Sequence, residues 1–234
     1  MLNLILAEAA LETVPQKLCR HPAVRRNAKR QKKQPQQTIL DRTLHHAAML
    51  KLPDAAKRGR PDITHFVLLE ALGSPLNKEG QLRVFVHTIN NQVITVNPAS
   101  RLPRNYNRFI GLMEQLFEQQ KVPQEGETLL ALEQKTLQQL IKQIRPDHVL
   151  AFSTAGKPKT IQEVVSGLEA KTNPAVVIGA FPHGHFSEAT LKLVNETVCV
   201  DPEMLNAWTV ASRVIYEYEQ LFMIPKKRLG NLDC

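Results

Sequence analysis

Val176-Val-Ile-Gly-Ala-Phe-Pro-His-Gly184 joins an apolar run to a bend built from two glycines and a proline. Val176–Ala180 reads as a buried strand, since a short continuous apolar run bounded by breakers suits a strand covered on both faces. Working outward, Val149–Phe152 is a second such run and leads into Ser153-Thr154-Ala155-Gly156. Val198–Val200 is a third and leads into Asp201-Pro-Glu-Met-Leu205. Helical spacing separates them, at Ile161–Leu168 and Phe186–Leu193, and a long helix is expected over Glu203–Gln220. Strands alternating with helices predict an α/β sheet with helices on both faces. Ligands of such sheets bind beyond the carboxyl ends of the strands, and glycine lets backbone approach them closely. The three bends are therefore expected to converge on one pocket.

The first half follows the same grammar less regularly. Leu2, Leu4, Ile5 and Leu6 predict a short buried strand, and the acid Glu8 with no basic leader argues against a signal peptide. Strands are expected at His65–Leu69, Leu82–His87, Val93–Val96 and Leu129–Leu132, and helices from Thr38 as cap, over Asn105–Gln119, and from Leu137 to Pro146. In the last helix Met204, Trp208, Ala211, Ile215 and Tyr218 form a regular stripe, which suits either the chain's own core or a subunit seam. No linker divides the sequence, so residues 1–234 are expected to form a single domain.

The chain has 234 residues, 43% hydrophobic and 22% charged, which suits a globular core and not a disordered chain. Its longest apolar runs, such as Ala175–Phe181, fall far short of the roughly 20 residues of a membrane helix. Three distant cysteines, Cys19, Cys199 and Cys234, form no disulfide or metal pattern, and a reducing cytoplasm is the expected setting. The net charge of +8 lies in one place: residues 13–40 hold eight bases and no acid, and outside them bases and acids balance at 22 each. This segment, punctuated by Pro15, Pro22 and Pro35, is expected to be loop or irregular helix. Such a block attracts polyanions.

Several motifs carry less than they promise. Gly179 to Gly184 has P-loop glycine spacing, but His185-Phe186 stands where Lys-Ser/Thr is needed to meet the phosphates. His183 and His185 lack companion ligands, so no metal site is expected, and no GxSxG elbow is present. Arginines speak more clearly. Arg101-Leu-Pro-Arg104-Asn-Tyr-Asn-Arg108 sets three guanidinium groups at a loop–helix junction, with Arg104 and Arg108 on one face if both are helical. Such groups clamp phosphates in bidentate fashion, and Tyr106 either stacks a base or packs. In Lys57-Arg-Gly-Arg60-Pro-Asp62 an acid two residues from Arg60 is placed to fix its rotamer.

These segments closely resemble the small-subunit ribosomal RNA pseudouridine N1-methyltransferase family of the SPOUT class, in its short archaeal form. The resemblance rests on Arg58-Gly-Arg-Pro-Asp-Ile-Thr-His65, Leu69-Glu-Ala-Leu-Gly-Ser-Pro-Leu-Asn77, Val96-Asn-Pro98 with Arg101-Leu-Pro-Arg104-Asn-Tyr-Asn-Arg108-Phe-Ile-Gly-Leu-Met-Glu-Gln115, and Ile178-Gly-Ala-Phe-Pro-His-Gly184, in the family's order over nearly the whole chain. It implies a SPOUT-type α/β knot, a trefoil near the C-terminus, with the basic N-terminal elaboration binding RNA. It implies a homodimer, small-subunit ribosomal RNA as substrate, possible ribosome-assembly partners, and S-adenosylmethionine as cofactor. The cofactor residues implied are Ser153, Thr154, Gly179, Gly184 and the run Val200, Asp201, Pro202, Glu203, Met204 and Leu205. Arg60, Arg101, Arg104 and Arg108 are implied to contact RNA, with Asp62 orienting an arginine and serving only weakly as a candidate proton acceptor. An RNA-binding assembly factor that scaffolds without methyl transfer, and a related enzyme modifying another nucleoside, are the competing readings.

Overall fold

The structure, a computed structural model, describes residues 1–230; Cys234 lies outside them. Eight strands form one sheet: β1 Leu2–Ala9, β2 Leu82–Thr88, β3 Gln92–Val96, β4 Lys121–Val122, β5 Leu130–Gln134, β6 His148–Pro158, β7 Pro174–Gly179 and β8 Glu196–Cys199, in the order β4-β5-β3-β2-β1-β7-β6-β8. Strands β2, β1, β7, β6 and β8 run parallel, and β3, β5 and β4 extend one edge through antiparallel pairs. The helices are α1 Pro22–Gln31, α2 Arg42–Met49, α3 Pro61–Gly73, α4 Pro75–Lys78, α5 Tyr106–Gln119, α6 Leu137–Ile144, α7 Ile161–Ser166, α8 Glu188–Leu191, α9 Ala207–Leu221 and α10 Ile224–Gly230.

Strand alternation sorts the core into two layers. Leu2, Leu4 and Leu6 of β1, with Val176 and Ile178 of β7, meet Ile63 and Val67 of α3, Phe109 of α5, Val164 of α7 and Val214 of α9. Ile5 and Ala7, with Ala175 and Val177, meet Leu137 and Leu140 of α6 and Phe186 on the other face. The expected α/β sheet with helices on both faces is present.

Residues 13–39 form an out-and-back excursion closed by a bridge between Thr13 and Ile39. Where loop or irregular helix was expected, its middle is the regular helix α1, begun by His21, whose ring accepts from the Ala23 N–H at 3.2 Å, and by Pro22 in the first turn. Val24 packs with Leu40, Met49 and Leu52 of the α2 region in a small core of its own. Three other expectations fail for identifiable reasons. His65–Leu69 lies in α3 and is not a strand: Pro61 starts the helix, and burial on nearly every side erases its amphipathic period. Asp41, not Thr38, caps α2, accepting from the Thr43 N–H at 2.8 Å, while Thr38 is buried in the closing bridge region. The last helix begins at Ala207, so Met204 precedes it; Ala211, Ile215 and Tyr218 are buried in the chain's own core, which answers the stripe without a subunit seam.

Strand β6 contains the most confined crossing. Phe152 and Lys157 both register with Val198 of β8, so Ser153–Gly156 bulge from the sheet. A Cβ on Gly156 would sit 2.5, 2.6 and 2.7 Å from backbone atoms of Val198 and Thr197. Gly156→Ala is therefore expected to lower stability by roughly 1–3 kcal/mol. Gly111→Ala, inside α5 with nothing near the new methyl, is expected to be neutral or to gain up to about 1 kcal/mol. Urea denaturation of both variants tests this; equal midpoints would mean the crossing is not as tight as drawn.

Candidate functional site

Beyond the carboxyl ends of β6, β7 and β8 lies a cleft of about 320 Å³. Its walls come from the three bends: Ser153 and Thr154, then Gly179 and Phe181–Phe186, then Val200, Asp201 and Glu203–Leu205. Of the residues singled out for a cofactor, the structure brings all but Pro202 to this cleft. Pro202 is exposed and does not line it, and beside it the Asp201 carboxylate accepts from the Glu203 N–H at 2.9 Å. Sequence reasoning missed Val198, Asn206, Trp208 and the α3 residue Ile63, which also line the cleft. Among these Trp208 carried a signal, as the sole tryptophan of the chain.

The bend after β7 needs glycine twice. A Cβ at Gly179 would meet the Phe181 ring at 2.9 Å, and Gly184 has φ +97°. Phe181 in turn packs edge-on against Phe186, with ring centroids 5.6 Å apart. The bend is thus closely packed, and both of its aromatic rings line the cleft.

Arg60 is the basic residue at the rim. Asp62 grips it in a bidentate pair, Nε to Oδ1 at 2.8 Å and Nη2 to Oδ2 at 2.7 Å, holding the guanidinium in one rotamer and keeping it firmly protonated. Both carboxylate oxygens bond Arg60 and Asp62 does not line the cleft, so its geometry suits orientation of the arginine.

Arg101, Arg104 and Arg108 are exposed, and none has a carboxylate within 4.0 Å among the described residues. Arg104 and Arg108 do not share a helical face as expected, because Asn105 caps α5, accepting from the Arg108 N–H at 3.1 Å and leaving Arg104 in the preceding loop. That loop is held by His65, which donates from Nε2 to the Pro103 carbonyl at 2.7 Å and stacks on Phe109 at 4.2 Å. Tyr106 does not present a free face: its hydroxyl donates to Asp41 Oδ2 at 2.6 Å, and burial with this bond pushes its own ionisation far up. Asp41 continues the network, its N–H donating to His45 Nδ1 at 3.1 Å, while Asn27 of α1 lies 3.1 Å from Nε2. Lys33 pairs with Glu114 at 2.6 Å. These contacts lock the basic excursion onto the arginine helix, and the other seven bases of residues 13–40 point outward.

Among the described residues no cluster of three or more side chains suits a metal ion, and no helix is long and apolar enough to cross a membrane. Cys19 and Cys199 are unpaired.

Comparison with known proteins bears on this arrangement. The family model described as EMG1/NEP1 methyltransferase matches residues 4–219. A protein of Thermococcus kodakarensis named ribosomal RNA small subunit methyltransferase Nep1 is 51% identical, over 94% of this chain and 98% of its own length. The protein of the same name from Pyrococcus furiosus is 48% identical over 93% and 96%. The crystal structure of Archaeoglobus fulgidus Nep1 bound to S-adenosylhomocysteine superposes with a TM-score of 0.84 at 42% identity, covering 94% of this chain and 98% of that one.

The buried histidine of the network has a consequence for acid stability. Burial holds His45 below its ordinary value of 6.5, against the pull of Asp41. The unfolded chain therefore takes up the proton first, and the contribution of neutral His45 is complete above 6.5 and is lost as pH falls through the lower folded value. Urea midpoints are expected to drop as pH falls below 6.5, and less steeply in His45→Asn, which keeps an acceptor near the Asp41 amide. Parallel pH profiles for the two proteins would remove His45 from this role.

Proposed function

The chain belongs to the EMG1/NEP1 methyltransferase family, and from that membership we propose that it transfers a methyl group from S-adenosylmethionine to N1 of a pseudouridine in small-subunit ribosomal RNA. One observation carries the reading: three bends from separate strand ends meet in a single cleft whose rim holds a fixed arginine, Arg60. The relative from Archaeoglobus fulgidus holds S-adenosylhomocysteine, the demethylated product of such a donor. The cleft here fits a group of that kind. At about 320 Å³ it falls at the lower end of small-molecule sites, and it combines apolar walls at Phe152, Ile178, Val198 and Leu205 with two bends whose glycines leave backbone amides uncovered.

S-adenosylmethionine supplies, when bound, a methyl carbon already activated by the adjoining sulfonium. The chain supplies alignment and exclusion of water. Ser153, Thr154, Gly179, Gly184, Val200, Asp201, Glu203, Met204 and Leu205 are the residues proposed to hold the donor; Pro202 is withdrawn because it does not reach the cleft. A base must leave its stack to enter such a pocket, which favours a loop substrate. Arg60 at the rim, with Arg101, Arg104 and Arg108 on the neighbouring loop and helix, is proposed to clamp the flanking phosphates. The outward bases of residues 13–40, docked onto the same helix, extend that surface. Asp62 is proposed to orient Arg60.

The knotted C-terminal topology, the homodimer and the cytoplasmic setting belong to the same proposal. Gly156 crossing tightly over β8 supports the first. Exposed Phe66 and Tyr216, on the neighbouring helices α3 and α9, offer apolar area for the second. A formed donor cleft favours an enzyme over a scaffold alone.

Mass spectrometry of nucleosides from a pseudouridine-containing RNA hairpin, incubated with protein and labelled donor, is expected to yield labelled N1-methylpseudouridine; label in any other nucleoside or in none refutes the assignment. Arg104→Ala is expected to weaken hairpin binding and reduce the salt slope by about one unit. An unaltered slope would exclude Arg104 from the phosphate contacts.

A further inference from the structure

Glu8 stands at the end of the central strand in a left-handed conformation, φ +52°, where the pairing of β1 with β2 slips out of register. Side chains with a Cβ seldom adopt this conformation, and a bulge in a strand re-aims the side chain it carries. Here it turns the Glu8 carboxylate under the bend that follows β7. Oε1 accepts from the Ser187 N–H and from the Thr190 hydroxyl, both at 2.8 Å, and Oε2 accepts from Lys57 Nζ at 2.8 Å. The side chain is 9% exposed. Burial alone would raise its ionisation, yet the bonds from Lys57, Ser187 and Thr190 outweigh that and keep it a carboxylate.

Lys57 completes the arrangement. Besides Glu8, its ammonium donates to the His185 carbonyl and lies over the Phe181 ring, 4.5 Å from the centroid. Its stem passes beneath Gly184, where a Cβ would meet Lys57 Cε at 3.2 Å. Phe181, Gly184 and His185 all line the cleft, whereas neither Glu8 nor Lys57 does. Two side chains 49 residues apart in sequence, joined to each other, thus hold the bend 181–187 at three points, Phe181, His185 and Ser187.

We propose that the buried Glu8–Lys57 ion pair is a positioning device that pre-forms the bend 181–187 for the methyl donor. The inference rests on the donor reading given above and deepens it: both residues act through the bend, and neither touches the ligand. A binding wall ordered in advance spares the ligand the cost of ordering it. An ion pair that merely held the fold together would affect every ligand alike. One that shapes this bend affects the donor and its product selectively. Because the two residues act as one unit, their effects should not add.

Calorimetric titration with S-adenosylhomocysteine, alongside RNA hairpin binding, tests this in Glu8→Gln, Lys57→Met and the double variant. Each single variant is expected to weaken S-adenosylhomocysteine about tenfold, the double variant little more than either, and hairpin affinity to stay within about twofold. Backbone amides of residues 181–187 should also exchange hydrogen faster in Lys57→Met, which alters the less buried partner and leaves the strand end intact. In turnover the Lys57→Met change should appear in the KM for donor, with kcat retained. Unchanged S-adenosylhomocysteine affinity in both single variants overturns the inference alone, as does a fall in hairpin affinity matching the fall for S-adenosylhomocysteine. A wild-type protein that takes up no S-adenosylhomocysteine overturns the donor reading and this inference with it.

Discussion

Buried backbone must find hydrogen-bond partners, and the segment from Ala7 to Glu12 is where that constraint organises the molecule. The chain leaves β1 here yet stays fully inside: Ala9, Ala10, Leu11 and Glu12 are each 0% exposed. With no water to accept its bonds, this segment must gather neighbours. Ala7 and Ala10 pair with Ala180 of the bend after β7, through Ala180 N to Ala7 O at 3.1 Å and Ala10 N to Ala180 O at 2.8 Å. The Ala10 carbonyl accepts from the Arg60 N–H at 3.2 Å, and the Glu12 carbonyl from Leu40 at 2.9 Å. The bend after β7, Arg60 and the basic excursion are consequently tied to six residues of one chain segment. The cleft and the surface proposed to face RNA share a single anchor.

Charge is distributed with the same economy. Outside residues 13–40 the chain is electrically balanced, so the field that draws a polyanion arises from one excursion. A floppy excursion would attract RNA without orienting it. The contact of Asn27 with His45 fixes its helix to α2, and that of Lys33 with Glu114 ties the segment after the helix to α5, whose N-terminus follows Arg101 and Arg104. Attraction and register are then properties of one rigid surface.

The second half of the fold was legible because its strands are short apolar runs ended by strong breakers, and three such ends in succession pointed to the cleft. The first half hid its helices. α3 is buried on almost all sides, so periodicity had no polar face to reveal; α1 is so basic that it reads as loop, and its small core depends on residues from α2. Pro202 illustrates a finer limit, since which residues of a loop line a cleft depends on the path of its backbone and not on residue type. Glu8 and Lys57 carried no local signal at all, because what unites them is the bulge at the end of β1 and the path of a distant loop.

Two carboxylates four residues apart, Glu8 and Glu12, each bind a base of the segment leading to Arg60: Glu8 holds Lys57, and Glu12 holds Arg58 through a bidentate pair, Nε to Oε1 at 2.7 Å. Glu12 is wholly buried. Removing such groups from water costs much of what their attraction returns, so buried pairs are weak evidence of net stability. Their effect here is geometric. Clamped at position 58, the chain has little freedom left when it reaches Arg60, and Asp62 removes the remaining side-chain rotation. A displacement at carbon tolerates little misalignment between nucleophile and methyl group, and a shift of about 1 Å lowers the rate severalfold to a hundredfold. On the proposed reading, an arginine that clamps RNA must therefore be fixed relative to the bend that holds the donor. Lys57 pairs with Glu8 beneath that bend, Arg58 with Glu12 just beyond the end of β1, and Arg60 with Asp62 of α3, so bend and arginine are referred to one short stretch of chain.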